Sequence, residues 1–188
     1  ESSQNLQEVN VVATPFRKTA ESPLGLRVIG FKEIEKSAGG NRDISRVVQS
    51  FPGVASTAAF RNDIIVRGGG PSENRFFLDG VEIPNINHFS TQGASGGPVG
   101  IINPDFIREV NFYAAAFPAA RGNALSSVLD FKLQDGNQEK SSARAVVGAS
   151  EVAFSANGPL GKKTTYLVSV RRSYLQFLFK AIGLPFLP

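Results

Sequence analysis

The sequence predicts an α+β fold, in which short helices pack on a small mixed β-sheet and a separate group of antiparallel strands follows towards the C-terminus. Three observations support this prediction. One segment has apolar residues at helical spacing, several short apolar runs have the length of strands, and 19 glycines and 11 prolines in 188 residues indicate many turns. The connections are too brief for repeated βαβ units, which favours α+β over α/β.

The clearest helix begins after a capping residue, either Asn41 or Asp43, and ends at Pro52-Gly53. Its apolar residues recur at i, i+3, i+4 and i+7, so they share one face that should lie on a core. These residues are Ile44, Val47, Val48 and Phe51. A second short helix is predicted at Phe31 to Lys36, and a single helical turn capped by Asn103 at Pro104 to Arg108.

The strands of the sheet are predicted from short β-branched or aromatic runs bounded by turn residues. Asp79-Gly80, between two of these runs, is a tight-turn signal. The predicted strands are Arg27 to Ile29, Ile64 to Val66, Arg75 to Leu78, Val81 to Ile83, Glu109 to Tyr113 and Val128 to Leu133.

After Asp135-Gly136 the pattern changes to runs in which apolar and polar residues alternate. The runs are Ala143 to Ala149, Val152 to Asn157 and, after a turn at Gly158 to Gly161, Thr164 to Phe179. In the last run Tyr166, Val168, Val170, Arg172 and Tyr174 share one face, and Ser169, Arg171 and Ser173 share the other. This alternation suits a membrane barrel strand, with lipid on one side and water or protein on the other. Half-buried strands of soluble sheets show the same alternation, so periodicity alone leaves both possibilities open.

Composition excludes several function classes. Residues 1–139 carry 13 Lys+Arg against 15 Asp+Glu, whereas residues 140–188 carry 7 against 1, so the excess of positive charge belongs to the C-terminal tail. The predicted domain therefore has no basic stripe of the kind that binds nucleic acid, and we expect no nucleic-acid partner. Without cysteine there is no thiolate site, and the single histidine, His88, cannot form a His-rich metal site alone. We expect no cofactor, no metal and no catalytic residue.

Six segments, in order, resemble the plug domain of TonB-dependent outer-membrane receptors. Each is a weak match alone, but their common order makes the resemblance specific. The segments are Leu6 to Ala13, similar to the region of the TonB box; Asp43 to Val54, similar to the helix that ends in PGV; Ile65 to Gly68, like IRG; Phe77 to Val81, like LxDGV; Phe106 to Val110, like IxxIEV; and Ala120 to Ala124, like RYGxxA. The segments Gly70 to Arg75 and Asn87 to Gly93 resemble the Bacteroidetes branch of the family.

The resemblance implies a plug followed by the first antiparallel strands of a 22-stranded outer-membrane barrel. It divides the chain into an N-terminal segment (1–23), a plug (24–136) and a linker with incomplete barrel strands (137–188). The implied function is gated, energy-coupled uptake of a scarce nutrient, without enzymatic activity. The implied partners are the C-terminal domain of TonB, the barrel of the same full-length chain, the lipid bilayer around that barrel, and a nutrient such as a siderophore, cobalamin, a glycan or a peptide.

The resemblance also assigns roles to residues. TonB would add a strand to an extended segment made of Glu8, Val9, Asn10, Val11, Val12 and Ala13. Two apical loops would face the nutrient, and their residues are Ser56, Thr57, Phe60, Arg61 and Asn62 in one and Asn85, Asn87, His88, Phe89, Ser90, Thr91 and Gln92 in the other. Arg67 and Arg121 would pair with carboxylates of the barrel.

Two other functions are compatible with parts of the sequence. The first is a soluble periplasmic protein-interaction or sensor domain that never meets a barrel. The second is a small hydrolase that uses Ser, Asp and His88, which requires a carboxylate and a hydroxyl within hydrogen-bonding reach of His88.

Overall fold

The computed structural model describes residues 25–37, 40, 42–56, 61–88, 90, 93–97, 99–114, 116–148 and 151–174. The candidate TonB-binding segment Glu8 to Ala13 lies outside the described residues. So do five of the candidate loop residues, Thr57, Phe60, Phe89, Thr91 and Gln92.

Residues 26–133, called the core domain below, contain two helices and seven strands among the described residues. The helices are α1 (Phe31–Lys36) and α2 (Ile44–Gln49). The strands are β1 (Leu26–Gly30), β2 (Val54–Ala55), β3 (Ile65–Val66), β4 (Asn74–Leu78), β5 (Val81–Ile83), β6 (Ile107–Tyr113) and β7 (Ser127–Leu133). Short 3₁₀ turns cover Pro71–Glu73, Pro104–Phe106 and Ala119–Arg121.

Five of these strands form one sheet in the order β1-β6-β7-β4-β5. Strands β4 and β7 pair in parallel, whereas the other three pairs are antiparallel. Strands β2 and β3 form a separate two-stranded ribbon. The predicted small mixed sheet with short helices is therefore confirmed.

The two faces of the sheet have different coverings. One face packs under α1 and α2, where the helical face predicted from the sequence is buried together with Ile29, Phe112 and Phe131. The opposite face carries a smaller apolar cluster of Phe77, Tyr113 and Val128. The main core thus lies between the helices and one side of the sheet.

The predicted caps are confirmed, and two predicted boundaries are corrected. Asp43 caps α2 by accepting a hydrogen bond from the Ser45 backbone N–H at 2.8 Å, and the Asn103 side chain accepts from the Asp105 N–H at 2.9 Å. The helical turn after Asn103 ends at Phe106, so β6 begins at Ile107 instead of Glu109. The reason is that Ile107 and Val110 are drawn into the core, where both are buried.

Strands β8 (Ser142–Val147), β9 (Glu151–Pro159) and β10 (Thr165–Ser173) form a three-stranded antiparallel sheet, called the tail sheet below. Strand β9 continues through the predicted turn as far as Pro159, because Pro159 and Gly158 pair with Thr165 and Tyr166. Among the described residues no helix is long and apolar enough to cross a membrane.

Candidate functional site

The two candidate apical loops, predicted separately from the sequence, lie against each other. The Asn62 backbone N–H donates to the Gly96 carbonyl at 3.3 Å, and the Asn87 side-chain amide donates to the Ser95 carbonyl at 3.2 Å. The Ser95 N–H in turn donates to the carboxylate of Asp63 at 2.6 Å. Asn62, Asp63, Asn87 and Ser95 are all buried. Because buried polar groups need hydrogen-bond partners, this network holds the bases of both loops in one arrangement.

Residues at the two ends of helix α2 form hydrogen bonds with this network. The Asp43 carboxylate, which caps the helix, also accepts hydrogen bonds from the Asn62 side chain at 2.9 Å and from the Gly100 N–H at 3.0 Å. Gln49, at the other end of the helix, donates to the Asp63 carbonyl at 2.8 Å. Burial raises the pKa of the Asp43 carboxyl, although the hydrogen bonds from Ser45 and Gly100 oppose this shift.

Two glycines make the close approach of these segments possible. Gly96 has φ +115°, and a Cβ there would lie 2.9 Å from the His88 carbonyl oxygen. A Cβ on Gly100 would lie 3.1 Å from the Asp43 carboxylate. The glycine-rich composition of this loop therefore has a structural reason, since backbone and side chains occupy the space that larger residues would need.

The candidate loop residues differ in exposure. Ser56, Arg61, His88 and Ser90 are exposed, Asn85 is half-buried, and Asn62 and Asn87 are buried. The exposed residues can contact a ligand, whereas the two buried asparagines position the loops. Arg61 lies 2.6 Å from the Asp63 carboxylate.

The backbone of His88 holds the base of the longer loop, since its N–H donates to Val99 and its carbonyl accepts from Gly97, each at 2.8 Å. The side chain of His88 lines a cleft of about 420 Å³ beside Ile101, Phe106 and Arg171. Among the described residues no group of three or more potential metal ligands comes together.

The tail sheet contacts the core domain through polar groups, and Asp105 is central to this contact. Its buried carboxylate accepts hydrogen bonds from Arg42 at 2.5 Å and from the Ser155 hydroxyl of β9 at 2.9 Å. Arg144 of β8 lies 3.9 Å from the same carboxylate and also pairs with Glu35 of α1. A carboxylate of the core domain thus binds residues of two strands of the tail sheet.

Strand β10 makes two further polar contacts with the core domain. The side-chain amide of Asn103 donates to the Ser169 hydroxyl, and the Arg171 guanidinium donates to the Gly100 carbonyl. The opposite face of the tail sheet is apolar and exposed. Phe154, Val168 and Val170 keep 50%, 52% and 65% of their surface accessible. The predicted alternation is confirmed, and the polar face is the one that contacts protein.

The two candidate arginines have different surroundings. Arg67 is exposed, has φ +51° and makes no ion pair with any of the described residues. Arg121 lies 3.0 Å from the carboxylate of Asp130 in β7, and its guanidinium lies over the Phe77 ring at 4.6 Å from the centroid. Within the described part of the chain, Arg121 thus has a carboxylate partner and Arg67 has none.

Sequence reasoning missed four buried polar residues of the site, namely Asp63, Ser95, Asp105 and Asp130. It identified Asp43 only as a helix cap. Polar residues are mostly exposed in folded proteins, so composition gave no signal that these four are buried. One usable signal was present at Asp105, since the Asn103-Pro104 start of a helical turn fixes the position of the next side chain.

Comparisons with known proteins agree with this geometry. The family model described as "TonB-dependent Receptor Plug Domain" matches residues 18–128. No curated protein matches the chain significantly.

Three solved structures illustrate the likeness of the fold. A mutant of the ferric enterobactin receptor PfeA from Pseudomonas aeruginosa has a TM-score of 0.57 and 20% identity over 79% of this chain and 24% of its own. The outer membrane transporter YddB from Escherichia coli has a TM-score of 0.55 and 15% identity over 78% of this chain and 26% of its own. The copper transporter OprC has a TM-score of 0.53 and 13% identity over 79% and 24%.

The chain thus spans about a quarter of the length of these solved structures, and at such identities the likeness concerns the fold alone. The family match covers more than half of the chain, from before β1 into β7. The protein therefore belongs to the TonB-dependent receptor plug-domain family.

Proposed function

We propose that this chain is the gate, and the beginning of the barrel, of an outer-membrane receptor that imports a scarce nutrient with energy supplied through TonB. In this proposal the core domain is the plug and β8 to β10 are the first strands of its barrel. The N-terminal segment lies in the periplasm, and the barrel spans the lipid bilayer of the outer membrane.

The observation that carries this proposal is the orientation of the tail sheet. Its polar face, with Ser155, Ser169 and Arg171, contacts the core domain, and its apolar face is exposed. A soluble domain gains stability by the reverse arrangement, because burial of apolar surface drives its folding. An outward apolar face is suited to lipid, so a soluble periplasmic domain is the weaker alternative.

The paired loops are the proposed nutrient-facing surface. The exposed residues of the two loops offer hydroxyl, guanidinium and imidazole groups, from Ser56, Arg61, His88 and Ser90. The buried asparagines Asn62 and Asn87 support the loops that carry them. From the family resemblance we assign five further loop residues to this surface, namely Thr57, Phe60, Phe89, Thr91 and Gln92. The nutrient is a siderophore, cobalamin, a glycan or a peptide. The proteins of similar fold include a ferric enterobactin receptor and a copper transporter, so this fold accepts chemically different ligands.

Energy coupling is assigned to the N-terminal segment, where Glu8 to Ala13 would add a strand to the C-terminal domain of TonB. Arg67 and Arg121 are proposed to pair with barrel carboxylates and so to hold the gate closed. Support for Arg67 is its exposed position without an ion pair among the described residues. The amino-acid sequences of residues 70–75 and 87–93 support an origin in the Bacteroidetes branch of the family.

The test uses cells that carry the full-length receptor as their only copy. They are offered labelled ferric siderophores, cobalamin, oligosaccharides and peptides in separate assays. Uptake of one class is expected from the parent. Deletion of residues 8–13 should abolish uptake but leave binding at the cell surface intact, whereas uptake that survives this deletion would refute the coupling role.

A further inference from the structure

The backbone of Gly100 lies between a side chain of the core domain and a side chain of the tail sheet. Its N–H donates to the Asp43 carboxylate at 3.0 Å, and its carbonyl accepts a hydrogen bond from Arg171 of β10. Gly100 also pairs with Asn87 as an isolated antiparallel bridge. The backbone N–H and C=O of this one residue therefore connect the cap of α2 with strand β10, and its bridge to Asn87 adds the longer apical loop.

Asp43 extends this connection to the other apical loop. The carboxylate oxygen that accepts from Gly100 also accepts from the Asn62 side chain at 2.9 Å, and its second oxygen accepts from Ser45. A single oxygen thus accepts hydrogen bonds from both segments. The carboxylate therefore fixes the separation between Asn62 and Gly100.

Space around Gly100 allows little freedom for this arrangement. An added Cβ would lie 3.1 Å from the Asp43 carboxylate and 3.8 Å from the Asn87 side chain. A shift of the Gly100 backbone would therefore move or break the contacts that hold both loops.

We propose that Asp43 and Arg171 are positioning residues that together hold the two apical loops at a fixed place relative to the barrel strand β10, through the backbone of Gly100. This inference rests on the proposed function, in which these loops face the nutrient. The ligand-facing surface is then built jointly by the core domain and the barrel. A displacement of either loop therefore changes its contacts with β10.

The test is hydrogen–deuterium exchange of the full-length receptor without nutrient or TonB. Arg171→Gln removes the charged donor to Gly100, and Arg171→Lys keeps a charged donor. Arg172→Gln is the matched control, because Arg172 is the next residue of β10 and is exposed on the opposite face. A second pair compares Asp43→Asn with Asp79→Asn, since Asp79 also accepts a backbone hydrogen bond, but from Leu133 of β7, at 3.0 Å, and not from a described residue of either loop.

In Arg171→Gln we expect peptides covering residues 61–63 and 95–101 to exchange about tenfold faster, the size of losing one hydrogen bond to a charged group. Arg171→Lys should restore much of the protection, and Arg172→Gln should match the parent. Asp43→Asn should affect the same two peptides, and Asp79→Asn should not.

Exchange that increases only within β9 and β10 of Arg171→Gln would overturn the proposal, as would equal effects of Arg171→Gln and Arg172→Gln. If Asp43→Asn does not fold, the Arg171 series alone decides. Because neither nutrient nor TonB is present, a negative result leaves the import function standing. Conversely, a parent receptor that imports none of the offered nutrients but shows the expected exchange pattern would refute only the proposed function.

Discussion

Arg121 and Asp130 form an ion pair at 3.0 Å on the face of the sheet opposite to the helices. Asp130 is buried, and its other carboxylate oxygen lies 3.6 Å from the Lys132 ammonium. The Arg121 guanidinium also covers the Phe77 ring. The pair thus joins the 3₁₀ turn at Ala119–Arg121 to the sheet, and it engages an arginine that the family resemblance assigns to the barrel.

Arg121→Gln should destabilise the chain, because a buried carboxylate loses its nearest cation. We expect a loss of about 1–3 kcal/mol in the free energy of unfolding, measured by urea denaturation and far-UV circular dichroism. Adding Asp130→Asn to Arg121→Gln removes the uncompensated charge and should recover part of this loss. A loss of unfolding free energy in the double variant that exceeds the sum of the losses in the two single variants would contradict the pairing.

Gly69→Ala should be destabilising, although the neighbouring Gly70→Ala should not. A Cβ on Gly69 would lie 1.6 Å from the Ser126 hydroxyl oxygen and 2.8 Å from its Cβ, and Ser126 donates to Glu73 at 2.5 Å. Displacing Ser126 should cost about 1–3 kcal/mol. At Gly70 the nearest atom would be 3.8 Å away and φ is −68°, which suits alanine. Equal effects of the two substitutions in urea denaturation would refute this account.

The pH dependence of stability should reveal the buried carboxyl of Asp43. Its pKa is raised by burial from the ordinary value of 3.8, so on acidification the folded chain takes up this proton before the unfolded chain does. The contribution of this group to stability is therefore fully present below 3.8 and is lost as the pH rises through the raised pKa.

Asp43→Asn lacks this contribution at every pH. The stability difference between the parent and Asp43→Asn should consequently grow as the pH is lowered from neutral towards 3.8. Taking this difference between the two chains cancels the contributions of acidic groups that are distant from Asp43. Urea denaturation at several pH values measures it, and a difference that shrinks on acidification would show that the pKa of Asp43 is lowered instead.

Most of the secondary structure of the core domain could be predicted because its signals are local. The spacing of Ile44, Val47 and Val48 and the cap at Asp43 predict α2, and turn residues such as Asp79-Gly80 separate the strands. Such signals depend on residues a few positions apart, and the structure retains them with boundary shifts of a few residues.

The remainder could not be predicted because it depends on pairs that are distant in sequence. Asp105 meets Ser155, and Ser95 meets Asp63, across 50 and 32 residues. Alternation in β10 predicts two different faces but does not say which one contacts protein. The contacts of Ser169 and Arg171 answer this, since they place the polar face against the core domain.

The tail sheet of the 188-residue chain should be cleaved by protease before the core domain. Its contacts with the core domain are polar, and without further barrel strands its edges leave backbone groups unpaired. Asp105→Asn weakens the contacts to Arg42 and Ser155 and should accelerate cleavage of the tail, whereas Asp79→Asn, which removes an acceptor bonded to Leu133 within the core domain, should not. Limited proteolysis of dilute monomer followed by mass spectrometry measures both rates. A tail as resistant as the core domain would contradict this prediction.

The last prediction concerns the segment Glu8 to Ala13, which we expect to bind the C-terminal domain of TonB as an added strand, with residues 14–23 linking it to the core domain. Backbone hydrogen bonds dominate such a contact, so blocking the backbone should matter more than truncating a side chain. Val11→Pro removes an N–H donor and fixes φ, which a paired strand tolerates badly, and binding should fall sharply. Val11→Ala keeps the donor and should reduce binding much less. Calorimetric titration of the parent and both variants with purified TonB domain separates the two models: equal losses would indicate a side-chain pocket, and absence of binding by the parent would remove the assignment of this segment.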